Sequence, residues 1–129
     1  MENVMHRLIA GLVVAAALAT FLPTAIARAD EPMKCEAGPL KRTYGGTAWL
    51  VYGCTDNESL VFVSDVGNPA MPFYFMFTPI DAVYQLHGEG TGDKTATAAA
   101  FGDLKAFTGE DIQSLLAATK AVPKPATGQ

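Results

Sequence analysis

An α+β domain, a four- to five-stranded antiparallel β-meander followed by two C-terminal helices packed on one sheet face, is the fold class this sequence predicts. Between Ala48 and Leu86, short runs rich in β-branched and aromatic residues alternate with clusters of turn residues. After residue 94 the text becomes alanine-rich with helical spacing. Strands gathered first and helices afterwards belong to α+β chains rather than to alternating α/β ones.

In chain order, His6 and Arg7 precede an almost wholly apolar run, Leu8 to Leu22. Pro23 ends the run, and Ala27-Arg28-Ala29 places small residues before Asp30. Charged start, apolar centre and A-x-A end predict a cleaved secretory signal peptide over residues 1–29, and hence a periplasmic or extracellular protein. The competing expectation is an envelope component anchored by the uncleaved segment, because Leu8 to Ala27 is about 20 residues and long enough to span a bilayer. Membrane attachment is expected only in that case.

Removal of the leader leaves one small domain, residues 30–122, with a disordered tail over 123–129 that opens Pro-Lys-Pro. The whole chain has a formal net charge of −4 at pH 7. From Asp30 onward the acidic excess persists without a basic stripe, so nucleic acid is not expected as a partner. Both cysteines, Cys35 and Cys54, fall in the exported part, and an even count in an oxidising compartment predicts one disulfide. C-x-x-C spacing is absent, and two thiolates are too few for a closed zinc site.

Cys35 to Pro39 is expected to be irregular, followed by a first strand from Leu40 to Tyr44. Gly45-Gly46 then turns the chain into Thr47 to Cys54. That register sets Cys54 opposite residue 37 rather than Cys35, so the bridge should tie a loose N-terminal segment to the sheet edge. Leu60 to Ser64 and Phe73 to Thr78 follow as strands, the latter bracketed by Pro72 and Pro79, and Val83 to Leu86 is a weaker fourth run of the meander. His87 to Lys94 reads as a flexible glycine-rich connector. A helix is expected from Thr95 to Phe107, capped by Asp93, with Ala98, Phe101 and Lys105 in its inner stripe, Leu104 beside them and Gly102 marking a close approach to the sheet. Thr108 should cap a second helix ending near Val122, burying Ile112, Leu115, Leu116 and Thr119.

No motif names a reaction. The stretch from Gly88 to Thr95 imitates a phosphate loop, but Asp93 stands where such a loop needs glycine, and a carboxylate there repels phosphate. His87, Glu89 and Asp93 are the weak metal or acid/base candidates, lacking further ligands or a nucleophile. Asp56-Asn57-Glu58 has an ion-binding composition whose ordinary use is a turn. No cofactor is expected. Alternation in the aromatic strand sends Phe73, Phe75 and Phe77 to one face and Tyr74 and Met76 to the other. If two helices cover the phenylalanines, Tyr74 and Met76 become an outward apolar surface for a homodimer or a protein partner. The functional expectation is therefore a small exported, non-enzymatic binding protein. The alternative is a minimal hydrolase or metal-dependent activity centred on His87 and Glu89.

Overall fold

A computed structural model describes residues 31–124. Its strands are Ala37–Tyr44 (β1), Thr47–Gly53 (β2), Leu60–Ser64 (β3), Phe73–Ile80 (β4) and Val83–Gly90 (β5), followed by the helices Lys94–Leu104 (α1) and Gly109–Lys120 (α2). The strands pair antiparallel with their chain neighbours in one open sheet, in the order β1-β2-β3-β4-β5. The leader expected over residues 1–29 and residues 125–129 of the expected tail lie outside the described residues. Among the described residues, no helix is long and apolar enough to cross a membrane.

The core lies between one sheet face and the helices. Trp49 and Val51 of β2, Leu60 and Phe62 of β3, and Phe75 and Phe77 of β4 are buried together with Ala100, Leu104, Ile112 and Leu116 of the helices. Phe62 is a hub for this layer, with ring centroids 5.4 Å from Tyr44 and 5.8 Å from Phe77 in edge-on contacts of the kind that aromatic quadrupoles favour. Polar groups inside are satisfied: Trp49 Nε1 donates to Thr47 Oγ1 at 3.0 Å, and Thr119 Oγ1 donates to the Leu116 carbonyl at 2.7 Å.

Local chemistry sets the helix starts. Asp93 accepts from the Ala96 amide at the head of α1. Thr108 and Asp111 form a reciprocal capping box at the head of α2, each side chain accepting from the other residue's backbone amide. Those bonds from Thr108 hold the Asp111 carboxyl below the usual carboxylate range.

Several sequence expectations are corrected. The first strand begins at Ala37, not Leu40: an irregularity between Ala37 and Leu40, with Gly38 at φ 121°, shifts the pairing so that Ala37 faces Gly53. Cys35 and Cys54 thus flank a paired end of the sheet, and they are bonded to each other. The supposed connector from His87 to Gly90 is strand. Its glycines resemble loop text, but a Cβ at Gly88 would strike the Phe73 and Phe75 rings, so glycine here makes room for aromatics on β4. Helix α1 stops at Leu104, and its inner stripe is Ala96, Ala100 and Leu104, while Ala98, Phe101 and Lys105 are exposed. Gly102 meets open space. The close helix–sheet approach is instead at Gly53, where an added Cβ would overlap the Thr119 hydroxyl.

The Cys35–Cys54 bridge closes a sequence separation of 19 residues. Reduction is expected to lower stability by about 3 kcal/mol on the chain-entropy account. Urea unfolding with and without reductant measures this, and an unchanged midpoint after verified thiol alkylation would refute it.

Candidate interaction surface

The sheet face away from the helices is built by alternation and register. Residues directly opposite each other across paired strands point to the same side. One row across all five strands is therefore Lys41, Leu50, Val63, Tyr74 and Glu89. A second is Tyr52, Val61, Met76 and His87, on β2 to β5. The centre is apolar, with Val63 and Tyr74 each 37% exposed and Leu50, Tyr52, Val61 and Met76 half-buried against their neighbours. Beside Tyr74 the surface dips into an open hollow of about 600 Å³ lined by Val61, Val63, Met71, Pro72 and Tyr74, with Glu89 at its rim.

Charge is confined to the flanks. On the β1 side Lys41 Nζ lies 2.9 Å from Asp65 Oδ2. Hydrogen bonds from Lys41 and the Val66 amide hold the Asp65 carboxyl below its ordinary value. On the β5 side the Tyr74 hydroxyl donates to Glu89 Oε2 at 2.8 Å, and His87 Nε2 is 3.8 Å from the same oxygen. The bond to Glu89, reinforced by its negative charge, raises the Tyr74 pKa and keeps the phenol a donor.

The predicted pair Tyr74 and Met76 thus stands on neighbouring rows of one face. His87 and Glu89 are brought together as well, at its margin. Asp93 is used differently, as the cap of α1. Among the described residues, no group of three or more His, Cys, Asp or Glu side chains is arranged to hold a metal ion. The Asp56 carboxyl is engaged by the turn itself: burial pushes it up, but bonds from the Ser59 hydroxyl and the Glu58 and Ser59 amides outweigh this and hold it low.

Leu50, Val61 and Val63 were not named from sequence as surface residues. Their signal was the period-2 pattern of β2 and β3, which becomes a surface only once register aligns them with Tyr74 and Met76. Together these features define a small disulfide-linked α+β domain with one helix-covered face and one open apolar face. Comparison with known proteins finds no matching family model, no matching curated protein and no matching solved structure.

Proposed function

We propose that this is a small exported, non-catalytic binding protein that works through the open face of its sheet. The observation that carries the reading is the pair of apolar rows from Leu50 to Tyr74 and from Tyr52 to Met76, which no described element covers. Side chains this apolar over a contiguous sheet surface are costly to leave in water and mark interaction sites on soluble domains. Tyr74 supplies a rigid anchor with a polar tip, and Met76 supplies a side chain that adapts to what it meets. Export to the periplasm or beyond is supported by the disulfide, which persists in oxidising compartments, together with the leader-like text of residues 1–29.

Val63, at the centre of the longer row, provides the test. Val63→Asp is expected to keep the melting temperature within about 5 °C of the parent, since the side chain is on the surface. The variant should lose most of the fluorescence gain that a neutral apolar dye shows with the parent protein. Dye binding unchanged by the substitution, in a folded variant, would contradict the reading.

A further inference from the structure

Resting on that reading, we propose that the partner of the open face is a second copy of this chain, packed face to face about a two-fold axis that runs parallel to the strands over Val63. The geometry of the five-strand row singles out this axis. Lys41 and Glu89 occupy its opposite ends, with Leu50, Val63 and Tyr74 between them. A two-fold axis along the central strand superposes β1 of one copy on β5 of the other. Each Lys41 then faces a Glu89, each Leu50 faces a Tyr74, and Val63 meets Val63. An axis across the strands over the same row sets Lys41 on Lys41 and Glu89 on Glu89, the less favourable arrangement of charge. The interface is isologous and closed, as two-fold dimers require, and the pairing is that of an aligned β-sandwich with helices on both outer surfaces.

Area agrees with this occupant. Five strands about 4.8 Å apart, with about six residues of each at about 3.3 Å, make a face of roughly 24 Å by 20 Å. Two such faces bury on the order of 1,000 Å² in total, at the threshold for a specific interface. An association of moderate strength follows. The flanking charges should set its register more than its strength.

Sedimentation velocity on the protein produced from its full chain, with intact mass recorded to define its N-terminus, tests the inference by charge exchange. The parent should pass from monomer to dimer between about 1 and 500 µM, a range suited to an interface near that threshold. Lys41→Glu and Glu89→Lys should each weaken dimerisation about tenfold or more, and the double variant should recover to within about threefold of the parent. The Lys41–Asp65 pair is lost in both variants that carry Lys41→Glu, so it cancels when these are compared. A dimer indifferent to the single exchanges, or a double variant no better than Lys41→Glu alone, would overturn the two-fold arrangement. A parent that stays monomeric throughout, with residues 1–29 present or absent, would overturn the second copy as occupant. Dye binding at Val63 would then show whether the open face still serves a different partner.

Discussion

Gly45→Ala is expected to destabilise the domain by about 3 kcal/mol or more, while the same change one residue later costs only about 1 kcal/mol. Both glycines form the β1–β2 turn with positive φ, 59° at Gly45 and 76° at Gly46, so alanine at either carries the left-handed penalty of roughly 1 kcal/mol. Their surroundings differ. A Cβ at Gly46 meets nothing within 4 Å, whereas at Gly45 it would overlap the backbone of Ala99 and Ala100. Helix backbone cannot step aside as a side-chain tip can. The turn must therefore lift off α1, straining the bond of 2.6 Å from the Gly45 amide to Asp103 Oδ2 and loosening Tyr44 from Phe107. In a domain of this size about 3 kcal/mol corresponds to a melting temperature lower by roughly 12 °C or more. Calorimetry on the two variants checks the difference, and equal losses would show that φ alone matters.

Much of this fold is legible in the sequence because its local signals agree with one another. Gly45-Gly46, Pro72 ahead of the aromatic strand, the Asp93 cap and the Thr108 cap each act within a few residues and need no tertiary knowledge, whereas Pro79, expected to end that strand, lies inside it opposite Tyr84. What was hidden depends on neighbours distant in sequence. Gly88 looks like loop text until the Phe73 and Phe75 rings are seen to need the space above it. The expected α1 stripe is displaced by one or two residues because alanines surround the true one, Ala96, Ala100 and Leu104, and small apolar residues blur a helical period. The Cys35–Cys54 pair was legible from compartment logic, while the shifted pairing that brings its partners to one end of the sheet was not. Alternation alone separated Tyr74 and Met76 from the phenylalanines, and their facing outward depended on which side the helices cover. Their extension into a face required the register of four strand pairs.

Adjacent residues of β4 should respond oppositely to the same substitution. Phe75 is 2% exposed and packs on Trp49 at a ring-centroid distance of 5.3 Å and on Phe73 at 4.8 Å. Phe75→Glu removes an aromatic core side chain, a loss of about 3–5 kcal/mol. It also asks the core to hold a charge without a partner, which costs several kcal/mol more. The sum approaches the entire stability of a small domain, so this variant is expected not to fold. Met76 lies one residue on, across the sheet from His87 and on the open face. A glutamate there reaches water, and its cost is expected to stay within about 1 kcal/mol.

Urea unfolding of the Phe75→Glu and Met76→Glu variants, followed through Trp49, the single tryptophan and a buried member of the core, tests most directly the claim that one sheet face is core and the other is open. The expected result is a cooperative transition near the parent midpoint for Met76→Glu and none for Phe75→Glu. Loss of the transition in both variants would mean that the Tyr74 and Met76 face is buried within the monomer, and would contradict an open binding face.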